Sequence, residues 1–227
     1  FEEWKSRKPS SIFRAPEHDA KLNQMQESVA MCLENVRLDS VPEFKIWAVQ
    51  GPPGTGKTRT MVHSIIRYIE RNPESGPVLV CTPSNVACDE IACEIDKHFR
   101  RTRMYKEKED PVVRFGNTSP RVNSIHVKTI VQRRFEASLG FSLPHSQSSG
   151  TMDESSDMMN DSSDVAKTQT ILKQSKVVCT TLNASAVVPR CGFRICFIDE
   201  ASQVDWRMCF THSKLLSFET YSCSFEM

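Results

Sequence analysis

The chain has 227 residues, 39% of them apolar, which is enough for one full domain with extensions and short for two. Lys and Arg total 29 against 28 Asp and Glu, a formal net charge of +1, so a nucleic-acid partner would have to be held by a local patch and not by a global positive field. The longest apolar runs, "VLVC" and "ICFI", are far too short to cross a bilayer, and the opening "FEEWKSRKPS" lacks the apolar core of a signal peptide, so no membrane partner is expected.

Residues 1–20 mix charges with two prolines and read as an irregular lead-in. From Leu22 to Val36, the residues Met25, Val29, Cys32 and Val36 recur at helical spacing, with Asn23 as a candidate cap. "FKIWAV" (44–49) reads as a buried strand and runs directly into "GPPGTGKT". Met61, Val62, Ile65, Ile66 and Ile69 then form a helical stripe that "RNPESGP" ends. "VLVCT" is a second strand, followed by a helix from Asn85 with Ala87, Ile91, Ile95 and Phe99 on one face. "PVVRFG", "SKVVCTT" and "RICFIDE" read as the third, fourth and fifth strands. Short apolar strands alternating with amphipathic helices predict an α/β fold, a mostly parallel sheet with helices on both faces.

Three segments carry little chemistry. Around residues 140–164 the chain is rich in Ser, Met and Asp; its "GTMDESSDMMNDSSD" has five acids and no base, so it is expected to be a disordered surface insert. The basic "HFRRTRMYKEK" (98–108) fits a solvated helix end better than a nucleic-acid footprint. The nine cysteines are scattered, and Cys88/Cys93 and Cys191/Cys196 stand too far apart for zinc pairs. Buried free thiols in a reducing compartment, the cytoplasm or the nucleus, are expected.

The segment "AVQGPPGTGKTRT" fits G-x-x-x-x-G-K-[ST], and it sits after a predicted strand and before a predicted helix. From Gly51 through Pro52, Pro53, Gly54, Thr55 and Gly56 to Lys57, Thr58 and Arg59, it is the expected nucleotide-binding segment. Backbone N–H groups and a helix N-terminus favour a polyphosphate. Lys57 would reach the β- and γ-phosphates, and Thr58 would coordinate Mg²⁺. A second element, "CFIDEASQ", places Asp199 and Glu200 at the end of a core strand, where parallel sheets gather ligand groups. Asp199 would hold the metal through water. Glu200 would orient and deprotonate an attacking water, which points to hydrolysis.

"GPPGTGKT" occurs in ring-forming AAA-type ATPases and in superfamily-1 helicases alike. "LNQMQESVA" resembles the helicase Q-motif, with Gln26 positioned to pair with N6 and N7 of adenine and so select ATP. "VCTPSNVACDEI" resembles helicase motif Ia, and Lys57 and Asp199 stand 142 residues apart, much further than in ring ATPases. With "VVCTTLNAS" ahead of "FIDEASQ", the chain resembles the superfamily-1 branch that includes the nonsense-mediated-decay helicase and senataxin. The resemblance runs from about Leu22 to Gln203. It implies a first RecA-like motor domain over 21–203, with ATP and Mg²⁺ as ligands and single-stranded RNA or DNA as partner. By position it implies strand contacts from Ser84, Asn85, Thr180 and Thr181. Taken without the resemblance, "TPSN" is a plain turn into a helix capped by Asn85.

After Gln203 the family continues into a further helix, a strand with a Gly-Asp…Gln motif and a second RecA-like domain bearing catalytic arginines. "VDWRMCFTHSKLLSFETYSCSFEM" (204–227) has none of these and is expected to lie outside the family fold, leaving the domain incomplete at its C-terminus. Hydrolysis and unwinding would then need a second motor domain missing from this chain. The rival readings are an AAA-type ATPase that remodels proteins and a catalytically dead truncated isoform acting as a binding competitor.

Overall fold

The computed structural model describes residues 22–34, 48–105, 109–117, 119–139 and 162–203. Four strands, β1 (Val78–Thr82), β2 (Val112–Arg114), β3 (Val177–Thr181) and β4 (Ile195–Ile198), form one sheet in the order β2-β3-β1-β4. Every pairing is parallel, and the register sets Val78 opposite both Val177 and Ile195. Their continuous Val, Leu, Ile and Cys runs suit a sheet buried on two sides.

Two apolar clusters cover the two faces. Helices α2 (Lys57–Arg71) and α3 (Asn85–Thr102) pack Val62, Ile65, Ile69, Ile91, Ile95 and Phe99 against Val78, Val80, Val112, Val177 and Cys179. On the other face α4 (Val127–Leu139), α5 (Ser162–Gln174) and the short α6 (Leu182–Ser185) set Ile130, Leu172 and Leu182 against Leu79, Val113 and Val178. The alternation of strand side chains explains the split: neighbours such as Val78 and Leu79 fall into opposite clusters. The α/β architecture with helices on both faces is therefore as the sequence predicts.

Helix α1 (Gln24–Glu34) lies outside these layers and is tied to α2 by charge. Arg67 donates to both oxygens of Glu27 at 2.5 and 3.0 Å, and Arg71 donates to Glu34 at 2.9 Å. Its start is a reciprocal box. Asn23 Oδ1 accepts from the Gln26 backbone N–H at 2.9 Å, and Gln26 Oε1 accepts from the Asn23 N–H at 2.9 Å.

Several boundaries differ from expectation. Of "FKIWAV", residues 44–47 lie outside the described residues, while Ala48 and Val49 are non-regular and exposed. An apolar run becomes a strand only where a ladder partner receives it, and no such partner is described for these two. "PVVRFG" keeps only three strand residues, and "RICFIDE" ends at Ile198, so Asp199 and Glu200 stand in the turn beyond. Residues 35–36 of the first predicted helix, 106–108 of the basic stretch, 140–161 of the insert and 204–227 lie outside the described residues. Ser162–Asp164 already belong to α5, whose first turn carries Asp164, as the helix dipole favours. Neither α4 nor α5 was anticipated.

No described helix is long and apolar enough to cross a membrane. All seven described cysteines are free. A thiol–thiol hydrogen bond with Cys196 and burial push the Cys81 thiol up, burial does the same to Cys179, and Cys88 and Cys191 are pushed up to about 11 by burial. At pH 8, iodoacetamide should therefore modify exposed Cys32 and leave Cys81, Cys88, Cys179 and Cys191 intact until denaturant is added. Mass spectrometry of the tryptic peptides checks this, and prompt labelling of Cys179 in the folded chain would contradict the packing.

Candidate functional site

Parallel strands deliver their C-terminal ends to one edge of the sheet, and the predicted site residues gather there. At β4, Asp199 continues the ladder by donating its N–H to the Cys81 carbonyl at 3.0 Å, and it is only 8% exposed. Its Oδ2 accepts a 2.9 Å hydrogen bond from the Thr58 hydroxyl, joining positions 141 residues apart. Glu200 then takes φ 51, a left-handed conformation that non-glycine residues seldom adopt. That turn separates the two carboxylates: Asp199 faces inward to Thr58, and Glu200 is exposed. Glu200 Oε2 accepts from Gln203 Nε2 at 3.3 Å, a residue not singled out beforehand.

The loop itself is internally braced. The Thr55 hydroxyl donates to the Pro52 carbonyl at 2.8 Å, and Gly56 accepts from both the N–H and the hydroxyl of Thr60 at 2.9 Å. The Lys57 ammonium bends over the loop, donating to the carbonyls of Gly51 at 2.9 Å and Pro52 at 3.1 Å. Pro53 and Gly54 form its exposed turn, and Arg59 is half-buried in the first turn of α2. Gln26 reaches in from α1: its Nε2 donates to the Thr55 carbonyl at 2.8 Å. The sequence suggested an adenine reader here; the geometry adds a brace. Each polar atom of the amide has one bond in use and keeps capacity for a second.

The ends of β1 and β3 lead into helix caps. The Ser84 hydroxyl caps α3, accepting from the Ala87 N–H at 3.2 Å, and the Thr181 hydroxyl caps α6, accepting from Ala184 at 3.3 Å. The cap of α3 is thus Ser84 and not Asn85, because the cap residue must be extended and Ser84 has φ −126, ψ 152, while Asn85 is already helical. The pairing of Thr82 with Thr181 sets the two capped turns side by side. Ser84 and Asn85 are exposed and Thr181 is half-buried, but Thr180 is wholly buried with its hydroxyl directed at the Thr181 carbonyl, 3.4 Å away. Strand alternation sets its side chain on the face of Val178, so it lacks the open approach that Ser84, Asn85 and Thr181 have.

Sequence reading missed Arg114, at the end of β2. It is fully buried beside Asp89 and donates to Asn85 and to loop carbonyls. A charge inside the apolar run "PVVRFG" was the available signal. Nearby, burial lowers the pKa of His126, whose Nε2 lies 2.9 Å from the Gly116 carbonyl. Among the described residues no cluster of three His, Cys, Asp or Glu could hold a metal ion. The hydroxyl and carboxylate of Thr58 and Asp199 are a hard-oxygen pair, suited to an ion such as Mg²⁺ that keeps most of its shell for water and phosphate.

Residues 21–168 match the family described as AAA domain. Among curated proteins, the chain is 28% identical over 167 residues to Regulator of nonsense transcripts 1 of Caenorhabditis elegans, covering 68% of this chain and 14% of that protein. It is 35% identical over 86 residues to Probable helicase senataxin of Homo sapiens, 32% of this chain and 3% of that one. It is 45% identical over 53 residues to ATP-dependent helicase upf1 of Schizosaccharomyces pombe, 22% of this chain and 6% of that one. The chain therefore spans at most 14% of the length of these relatives.

Gly56 links loop and brace, since it has φ 78 and an added Cβ would meet Gln26 Nε2 at 2.9 Å. Gly56→Ala should strain the turn, displace the Gln26 amide and weaken binding of any polyphosphate ligand, with little change in thermal stability because the loop is outside both cores. Calorimetric titration with ATP checks this; unchanged affinity would contradict the loop geometry.

Proposed function

Because the chain belongs to the AAA domain family, within the branch of superfamily-1 helicases that holds the nonsense-mediated-decay helicase and senataxin, we propose that it binds Mg·ATP and single-stranded RNA or DNA as a first RecA-like motor domain. The observation that carries the nucleotide half is the Thr58–Asp199 hydrogen bond, which sets the P-loop against the end of β4. Around that pair the residues have separate work. The loop's backbone N–H groups and the α2 N-terminus receive phosphate oxygens. Lys57 exchanges its two carbonyl partners for β- and γ-phosphate oxygens. Gln26 holds Thr55 with one amide hydrogen and offers the rest of its amide to adenine. Glu200, turned to solvent by its positive φ, orients water and takes its proton. Mg²⁺, held by Thr58 and, through water, Asp199, would neutralise charge on the transferring phosphate.

The strand half rests on Ser84, Asn85 and Thr181. A cap hydroxyl that accepts a backbone N–H still has its own proton to donate, so Ser84 and Thr181 each keep one donor for a phosphate. Such contacts grip a backbone without reading its sequence. The motor domain is proposed to span 21–203, with a second RecA-like domain supplying the arginines needed for rapid hydrolysis and unwinding. An arginine finger is worth roughly 10³–10⁵ in rate in related phosphoryl-transfer enzymes. The protein remodelling of ring ATPases is the weaker reading, since two of the three relatives are named as helicases. We place the protein in the cytoplasm or nucleus.

Lys57→Ala should abolish ATP binding in equilibrium dialysis while the fold persists, because the ammonium touches only two loop carbonyls and neither core; retained affinity would remove the nucleotide site. Gln26→Ala separates adenine reading from bracing. A reader loses about 1–3 kcal/mol for ATP and much less for GTP. Equal losses for both nucleotides would leave Gln26 as a brace alone.

A further inference from the structure

Arg114 is the largest fully buried side chain among the described residues, and the nucleotide site makes no use of it. Its Nε donates to Asp89 Oδ1 at 2.7 Å, and Asp89 Oδ2 accepts from the Ser119 N–H at 3.0 Å. Buried ion pairs of this kind are weak sources of stability, and an apolar side chain of equal volume often serves as well. An apolar side chain could not, however, hold the other partners. The guanidinium donates to the carbonyl of Phe115, to that of Asn117 at 2.6 Å, and to Asn85 Oδ1 at 3.0 Å. Asn85 opens α3 at the end of β1, whereas Arg114 ends β2, so the fork ties together loops from strands that are not neighbours in the sheet.

The bond to Asn85 also decides which way its amide faces. An asparagine on a surface can present oxygen or nitrogen, and only the nitrogen suits a phosphate. With Oδ1 accepting from the buried guanidinium, the two Nδ2 hydrogens of this exposed residue are left for an acceptor outside. We propose that Arg114 is a positioning residue for strand binding, acting through Asn85 by holding its amide with nitrogen outward toward a strand phosphate. This rests on the reading of these strand ends as a nucleic-acid site. Lysine is no substitute, because a single ammonium cannot satisfy a carboxylate, two carbonyls and an amide in fixed planar directions.

The test is a double-mutant cycle in the full chain, read by fluorescence anisotropy with labelled single-stranded oligouridylate and, separately, oligothymidylate, with ATP affinity measured beside it. Asn85→Ala should weaken strand binding by about tenfold, as for one hydrogen bond to a charged group. Arg114→Lys should weaken it by a similar factor with ATP affinity kept, and the double variant should be no weaker than either single one. Additive losses, or full strand affinity in Arg114→Lys, would overturn the proposal while leaving the strand site standing. No effect of Asn85→Ala would likewise overturn the proposal alone, whereas no strand affinity in the unsubstituted chain would remove the strand-site reading, and the proposal with it. If Arg114→Lys fails to keep its ATP affinity, the unsubstituted chain still decides by NMR. Adding the oligomer should move the Asn85 side-chain amide and the Arg114 Nη2–H resonances together, and an amide that moves while Nη2–H stays fixed overturns the proposal.

Discussion

Strand β1 pairs in parallel register with β3 on one side and β4 on the other, and β3 pairs in parallel with β2. That shared direction is the constraint on which the site depends. It sends four chain ends to one edge, where backbone donors and short polar side chains replace the ladder. Neighbouring strands are about 4.8 Å apart, so the ends of β4 and β2 are separated by roughly 14 Å. Within that width lie the Thr58–Asp199 pair, the turns capped by Ser84 and Thr181, and the loop held by Arg114. A polyphosphate and a nucleic-acid strand would thus sit on adjacent strand ends, with no long path needed between them.

Helices carry the second half of the construction. The N-termini of α3 and α6 begin at this edge because each follows a strand of the parallel sheet, and the Thr58–Asp199 bond holds the start of α2 there as well. Their first-turn N–H groups therefore face the side where phosphate would arrive. The ends are closed differently according to use. Hydroxyl caps close α3 and α6, whereas α2 starts at a left-handed glycine with no side-chain cap, leaving the donors of its first turn uncovered by a side chain. Helix α1 adds a brace from outside the layers, with Gln26 spanning from its capping box to Thr55.

How much of this was legible in the sequence depended on whether the signal was local. "GPPGTGKT" carries its own conformational demands, and "VLVCT" followed by a cap and the Ala87, Ile91, Ile95, Phe99 stripe is unambiguous strand and helix. Asn23 was legible as a cap for the same reason, but its reciprocal bond with Gln26 emerged only in the structure. The second face was not, since α4 and α5 are weakly amphipathic and flank an acidic, serine-rich stretch that masks their boundaries. Long-range choices were also hidden. Nothing local says that Ser84 and not Asn85 caps α3, because Asn85 is drawn off by Arg114, 29 residues away. Thr180 and Thr181 are equivalent as letters; only the pleat decides that the first is buried and the second reaches the edge.

The central claim is that one edge of the sheet serves both ligands, and amide hydrogen exchange on the full chain tests it most directly. Peptides are followed in four samples: the free chain, with Mg·ATP, with a single-stranded oligonucleotide, and with both. Mg·ATP should slow exchange over residues 51–60 and at Asp199 and Glu200, and the oligonucleotide should slow it over 84–88 and 181–184. The opposite edge, including Ser175 and Lys176, should be unchanged by either. Protection at that opposite edge, or none at the P-loop with saturating Mg·ATP, would contradict the shared-edge arrangement.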